Sequence, residues 1–551
     1  MGKVFTDRRF LIAVCGLCAV YAVLELLYIS RLPLIMDEYQ GAYAIHRLTS
    51  GVPYRDFMPY KTVLGYYIEL LPLLLPGDTF SRIMYVKYEL VAINTAAIFV
   101  ASYLLARHFR KVAVCLAAAA FIVMTNFLER SAELRVDMLT AWFGLFSLLA
   151  VLDRRMVLAG VLLAASFLTS QKGIYFAIAT GSALVSYCAF VERSRRTVVE
   201  TAVCGGVALA LVGGYFAAFG LLGRSFGGVT DQILAAPKEI ALERIYVEVR
   251  EYWFQSLERN PFFYGALVTA IGSAFARRFE RRVEAILWIY GAVVFAGCLW
   301  HRQPWPYFFV FLAPTGFVLI TSLFDGEIRR AGRVTIPAAA VLALLGIGFP
   351  LLRVPTVLAR DVGPQRTAIR IADRILEDGE AYLDGVAMMF DHPQPPLLGS
   401  LGRARLKSLR SGNTKALIAD IERSRVKLLI TNYRLNGLPR SVTTYLDRNY
   451  ARLYGNVNIY CPTVESGAQH AETWFTGRYS IRQARDAPPA SAIAIDGRGV
   501  GGSGSVRLTK GKHSISAVGS FRLCLEPEGW RDVAEPAFAK HVDLFPDPYT
   551  Y

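Results

Sequence analysis

Over the first two thirds of the chain, apolar runs long enough to cross a bilayer alternate with short loops that hold most of the charge. The first run, 10–29, follows a basic start (Lys3, Arg8, Arg9) and has the length a helix needs to cross about 30 Å of hydrocarbon. It is longer than the core of a signal peptide and continues into RLPLIMDEYQ with no small-residue cleavage site, so it reads as a retained span. Further runs at 83–106, 112–128, 138–152, 156–170, 173–191, 198–222, 261–276, 283–300, 306–324 and 334–352 predict a polytopic α-helical membrane protein of about eleven transmembrane helices. The stretch 61–75 is also apolar, but it is short, carries Glu69 and Pro72, and reads as a re-entrant or interfacial segment.

Charge orients these spans. If 61–75 does not cross, the basic loops RHFRK (107–111), DRR (153–155), ERSRR (192–196), RRFERR (277–282) and DGEIRRAGR (325–333) all share the side of the N-terminus, which the positive-inside rule makes cytoplasmic. A crossing there would move all five outside. The opposite face then collects Asp37, Glu38, Arg55, Asp56 and Lys61, followed by Glu129, Glu133, Arg135 and Asp137, then Gln171 and Lys172, and last His301 and Arg302. A long outer loop, 223–260, contains KEIALERIYVEVREYWFQSL, whose apolar spacing predicts an amphipathic surface helix.

From residue 353 the pattern becomes that of a water-soluble region placed outside the membrane. RTAIRIADRILEDG and NTKALIADIERSR have helical periodicity, while AYLDG and VKLLITN read as strands, which predicts an α/β domain over 353–465. WFTGRYSI, SAIAIDG, GSVRLTKGKHSISAV and FRLCLEPEG predict a β-rich domain over 466–551, with GRGVGGSGS as a hairpin connection. The charges of this tail are scattered, which assigns it to recognition and leaves the chemistry to the membrane domain, 1–352. Its Trp474, Tyr479 and Trp530 read as core aromatics ahead of sugar-stacking ones.

Composition narrows the class. The 551 residues are 54% hydrophobic and 19% charged, with a mean hydropathy of +0.36, which excludes a disordered, collagenous or small disulfide-rich chain. The net charge of +16 comes from clusters between apolar runs, so it points to membrane lipid and not to nucleic acid. Of eight cysteines, six lie in apolar runs without metal-ligand spacing, and only Cys461 and Cys524 stand where a bridge can persist.

The candidate chemistry lies on the outer face. An isolated acidic pair such as Asp37–Glu38 is ordinarily two solvated loop acids, but here Tyr54, Arg55, Asp56, Tyr60 and Lys61 follow within one loop. Lys172 sits in a connection so tight that its two flanking spans must be neighbours, and as an outer lysine it opposes the positive-inside trend. His301 has no second His or Cys at ligand spacing and reads as an interfacial side chain beside Arg302.

The Asp37–Glu38 pair, VPYRDFMPYK, LRVDML, SFLTSQKGIYF and PYFFVFLAP, in that order and on one side, resemble the GT-C superfamily of membrane glycosyltransferases. The resemblance covers roughly residues 10–330 and is to the branch holding protein O-mannosyltransferases and the lipid A aminoarabinose transferase. It implies an inverting glycosyltransferase in a bacterial inner membrane, moving a sugar from a polyprenyl-phosphate donor to a hydroxyl of a glycan, lipid or protein acceptor at the outer face. It assigns Asp37 and Glu38 as catalytic, and Arg55, Lys61, Arg135, Asp137, Lys172 and Arg302 as donor- and phosphate-binding. No cofactor is assigned, and a divalent cation stays open: Tyr60 stands where relatives often have an acid, and Thr62 and Val63 where they often have prolines.

Two rival classes are weighed. A secondary transporter places ionisable groups near the bilayer midplane, whereas the span interiors here are nearly uncharged; a polysaccharide polymerase or ligase needs no large C-terminal domain.

The orientation is testable directly. Alkaline phosphatase fused after Leu352 is expected to be active, and a cytoplasmic reporter at the same point silent; the reverse pair would overturn the sidedness.

Overall fold

The computed structural model describes residues 8–59, 61–235, 249–276, 282–301, 306–330, 346–348, 350–399, 401, 406, 409, 412, 414–484, 490–500 and 504–546. In chain order its main helices are α1 Arg8–Ile29, α2 Met36–Arg47, α3 Leu64–Ile68, α4 Leu70–Leu73, α5 Thr79–Leu105, α6 Lys111–Ile122, α7 Thr125–Arg130, α8 Asp137–Leu152, α9 Met156–Thr169 and α10 Ile174–Ser186. These are followed by α11 Arg195–Leu222, α12 Val249–Arg259, α13 Pro261–Ala276, α14 Arg282–Trp300, α15 Leu312–Arg330, α16 Gly363–Ile375, α17 Thr414–Ser424 and α18 Arg440–Asn449.

The chain forms two compact units. The first holds Met1–Leu32, Ala44–Leu75 and Ile83–Arg360; the second holds Pro33–Tyr43, Pro76–Arg82 and Asp361–Tyr551. In the first, six helices among the described residues are long and apolar enough to cross a bilayer, and the apolar helices Lys111–Ile122, Asp137–Leu152, Met156–Thr169 and Pro261–Ser273 are shorter. Most of the expected span 334–352 lies outside the described residues, as does the first half of the expected surface helix; the second half of that helix is α12.

Packing follows the pattern of each helix. Nearly every residue of α8 is buried, as befits a helix apolar all round. By contrast α11 buries only Thr197, Cys204 and Gly220 and leaves Leu209 74% and Leu221 70% exposed, the surface expected against lipid. The expected span 112–128 is broken: α6 ends at Ile122 and α7 restarts at Thr125. The break is stable because the Asn260 side chain accepts the Thr125 N–H at 2.8 Å and every residue from Val123 to Asp137 is buried in protein, where irregular backbone is tolerated. The stretch 61–75 forms only α3 and α4, of five and four residues, too short to cross a bilayer as a helix.

In the second unit, two outer segments join the tail. Gln365 pairs both backbone groups of Leu34, accepting its N–H and donating to its carbonyl, each at 2.8 Å. Asp373 accepts the Thr79 N–H at 2.9 Å and its hydroxyl at 2.6 Å, and Arg82 pairs with Asp391 at 2.6 Å. The α/β part is a four-stranded sheet in the order β1-β2-β4-β3, with β1 Tyr382–Leu383 parallel to β2 Leu428–Ile430, and β4 Val457–Tyr460 antiparallel to β2 and to β3 Tyr450–Tyr454.

The β-rich part is two further four-stranded sheets. One orders β10 Ser505–Leu508, β7 Gly477–Gln483, β12 Phe521–Leu525 and β5 Thr463–Val464; the other orders β6 His470–Thr473, β11 Gly511–Val518, β8 Ser491–Ile495 and β9 Arg498–Val500. The β8–β9 turn has Asp496 at φ 52° and Gly497 at φ 75°, the doubly left-handed pair of a type I′ hairpin, which favours Asp-Gly. Tyr479 is fully buried and Trp474 stacks on Tyr460 at 4.5 Å, so both serve the core. Cys461 and Cys524 are joined, closing a loop of 63 positions from the end of the α/β sheet to β12.

Because that bridge shortens the unfolded chain, Cys524→Ser is expected to cost about 2–5 kcal/mol of the second unit's stability. Thermal melts with non-reducing peptide mapping read it; two free thiols in the native protein, or an unchanged melt, would refute it.

Candidate functional site

Helices α8 and α9 form an antiparallel hairpin around Asp153–Arg155 and make extensive contact. At 1.5 Å per residue they rise about 24 and 21 Å, so the chain leaving α9 returns to the level where α8 began. Two hydroxyls brace the pair: Ser147 donates to the Ala159 carbonyl at 2.8 Å and Ser166 to that of Thr140 at 2.9 Å. The return is closed by Gly173, where a Cβ would stand 2.5 Å from the Phe167 nitrogen and from the Ser166 carbonyl carbon. Only glycine fits there.

This hairpin brings together the charges at its open end. Asp137, in the first turn of α8 where the helix dipole favours an acid, receives the Arg135 Nε at 3.0 Å on Oδ2 and the Lys172 Nζ at 2.9 Å on Oδ1. Asp137 is 2% and Arg135 6% exposed. Lys61 supplies a third cation felt by both Asp137 and Lys172. Three cations thus face one carboxylate whose oxygens are each taken.

The 61–75 segment reaches this cluster through close packing. A Cβ on Gly65 would lie 2.5 Å from Val136 and 2.8 Å from Thr169, so α3 seats directly against the residues flanking Asp137 and Lys172. A hydroxyl relay holds the backbone in place: the Val63 N–H donates to the Tyr215 oxygen at 3.0 Å, Tyr215 and Tyr54 share a bond at 2.6 Å, and Tyr54 donates to the Lys61 carbonyl at 2.8 Å. Thr62 adds a bond to the Phe167 carbonyl at 2.8 Å. Tyr215 lies inside a lipid-facing helix, and nothing in the sequence pattern marks it.

His301 also belongs here. Its ring lies flat on Phe308, centroids 3.9 Å apart at 4°, its Nδ1 shares a hydrogen bond with Tyr175 at 2.8 Å, and Lys172 lies 5.8 Å from the Phe308 ring centroid. Burial, then the Lys172 charge, push the imidazole down to about 3, so it is neutral. Arg302 lies outside the described residues.

The other sequence-marked residues are placed elsewhere. Glu129 and Glu133, grouped with Arg135 and Asp137 by sequence, meet other arginines: Arg130 binds Glu133 at 2.6 Å, while Arg259 and Arg353 approach Glu129 at 3.6 and 3.5 Å. Arg55 is exposed and pairs with Asp56 at 2.8 Å, and its hydrogen bond is the main cause holding the Asp56 carboxyl down to about 2.

Asp37 and Glu38 lie in the second unit, in the first turn of α2. Glu38 is 1% exposed and closes that turn, its carboxylate accepting the Ile35 N–H at 2.9 Å and its own N–H donating to the Ile35 carbonyl at 3.0 Å, the pattern of a helix cap. Asp37 is half-buried. The turn is anchored by Tyr39, edge-on to Phe545 at 6.0 Å, and by Met36, whose sulfur receives the Arg434 Nε at 3.1 Å.

Among the described residues no three His, Cys, Asp or Glu side chains group as metal ligands, and Asp137 is already bonded to two cations. The donor set present does not fit a divalent ion, and no step below runs through one.

No family model and no curated protein matches the sequence. Solved structures do match in fold. The chain is similar to ArnT from Cupriavidus metallidurans bound to undecaprenyl phosphate (TM-score 0.55, 15% identity, covering 82% of this chain and 93% of that one). It is also similar to the apo oligosaccharyltransferase of Archaeoglobus fulgidus (TM-score 0.53, 14% identity, 87% and 74%), and to apo ArnT (TM-score 0.51, 15% identity, 79% and 91%). At these identities the likeness is one of fold, which this chain shares with an archaeal oligosaccharyltransferase and with ArnT.

Removing either hydroxyl breaks the same relay. Tyr54→Phe and Tyr215→Phe are each expected to cost about 1 kcal/mol, and the double variant clearly less than their sum. Denaturation of the purified variants checks this; full additivity would show that the two rings do not act together on the Lys61 backbone.

Proposed function

We propose that the chain is an inverting membrane glycosyltransferase that moves a sugar from a polyprenyl-phosphate carrier to an acceptor hydroxyl at the outer face of a bacterial inner membrane. The observation that carries this reading is the convergence of basic side chains at the mouth of the α8–α9 hairpin: Arg135 and Lys172 bonded to Asp137, with Lys61 alongside. Charge acts strongly in such a buried setting, and a lipid phosphate is an anion delivered at that depth.

In the proposed reaction the acceptor oxygen attacks the anomeric carbon from the side opposite the phosphate, the bond from that carbon to the phosphate oxygen breaks, and the phosphate keeps the electron pair. Asp37 takes the acceptor proton. Arg135, Lys172 and Lys61 stabilise the charge gathering on the departing phosphate, an effect that fixed cations in a low-dielectric site supply without reorganisation. Asp137 holds Arg135 and Lys172 in place. Glu38 acts by fixing the turn that carries Asp37, as its bond to Ile35 implies. The acceptor is a glycan, lipid or protein hydroxyl.

The test follows sugar release from polyprenyl-phosphate donors by purified protein in nanodiscs. Asp37→Asn is expected to lower turnover by about 10² or more while donor binding persists, and Lys172→Ala to weaken donor binding as well, because the phosphate is present before the reaction. Near-wild-type turnover of Asp37→Asn would remove its assignment as the base.

A further inference from the structure

Beside the three cations lies an acid the mechanism above does not use. Glu69 is the residue between α3 and α4 and is fully buried. Its backbone is fixed, since its N–H donates to the Gly65 carbonyl at 3.1 Å and Gly65 is wedged against Val136 and Thr169. Among the described residues neither oxygen of its carboxylate has a hydrogen-bond partner. The charges it feels are those of Lys61, Glu89 and Asp137, so it stands at the edge of the phosphate site and not in the ion network of Glu129. Glu89, on α5, likewise has one buried oxygen without a partner.

Burial pushes its carboxyl up to about 8, against the pull of Lys61. An acid sealed from water with neither oxygen bonded is disfavoured even so, and in a membrane protein such a group marks a functional position by default. A structural role would show as bonds, and among the described residues Glu69 makes none. A divalent ion is a poor occupant, because three cations already crowd the place. What fits is a neutral group that donates hydrogen bonds and arrives attached to an anion. The site is divided in that way: cations that take a phosphate on one side, and carboxylate oxygens that repel a phosphate but accept from hydroxyl or amino groups on the other. A sugar carried on a phosphate has this polarity.

We propose that Glu69 reads the transferred sugar, its carboxylate accepting hydrogen bonds from a hydroxyl or amino substituent of the glycosyl group while the cations hold the phosphate. This rests on the glycosyltransferase reading. It makes Glu69 a specificity-determining residue, selecting glycosyl groups with a donor at that position and giving a loaded carrier an advantage over the spent one.

The experiment compares bare undecaprenyl phosphate with a panel of undecaprenyl-phosphoryl hexoses and pentoses, binding to the full-length protein in nanodiscs. Wild type is expected to prefer at least one loaded lipid by about tenfold or more, the scale of a hydrogen bond to a charged group. Glu69→Gln, the same shape without the charge, is expected to reduce that preference to about twofold or less and leave the affinity for the bare carrier within about twofold. Its melting temperature without ligand should not fall, which separates a binding role from misfolding. The proposal is overturned if the Gln variant keeps the preference, if it weakens bare and loaded lipid equally, if wild type shows no preference, or if a chelator abolishes the preference. A wild type that binds neither lipid would instead reject the glycosyltransferase reading, and this inference with it.

Discussion

The site is organised around one buried carboxylate. Asp137 has a guanidinium on one oxygen and an ammonium on the other, and removing three charges from water at that depth costs several kcal/mol per ion unless each is well met. The surrounding architecture brings these partners together. Matched lengths in the α8–α9 hairpin return Lys172 to the level of Asp137, the tight turn at Gly173 closes the return, and the bare face of Gly65 lets a short, non-spanning segment lie close enough for Lys61 to contribute. Three basic side chains from three different parts of the chain thus converge on one carboxylate, and the proposed phosphate role rests on that convergence.

In the second unit the tail holds the turn that carries the proposed base. The turn that carries Asp37 is held by Gln365 on Leu34, by Arg434 on Met36 and by Phe545 on Tyr39. Exposed loops between spans must find partners for their backbone groups or remain mobile. Here residues 33–43 and 76–82 find them in residues 361–551. The turn that carries Asp37, the proposed base, therefore takes its support from residues beyond 361.

Much of this protein was legible in its sequence because hydropathy and charge are local properties. Apolar length marked the membrane helices, and the breaks at Glu69 and Pro72 marked 61–75 as too short to cross; the β-rich part was legible as strand-like runs, although GRGVGGSGS, expected as a hairpin connection, contains the strand β9 and the turn falls at Asp496-Gly497. Lys172 stood out because a lysine on the expected outer face opposes the positive-inside trend, and Arg135 and Asp137 because they open a span whose interior carries no charge. What sequence spacing could not separate was neighbours with different destinies: Glu129 and Glu133 lie within eight positions of Asp137, yet they meet Arg259, Arg353 and Arg130.

The sequence by itself determined the helical membrane body and the presence of a mixed α/β and β tail, since each follows from which residues avoid water and at what period. The tertiary structure decided which charges meet. Only packing brought Lys61 to the mouth of a hairpin more than seventy residues away, buried Glu69 without a partner, recruited Tyr215 from a lipid-facing helix, turned Glu38 into a cap and placed the Asp37 turn with the tail. Burial periodicity is written along the chain, whereas ion pairing depends on distances of about 3 Å between residues remote in sequence, and those distances exist only once the helices have packed.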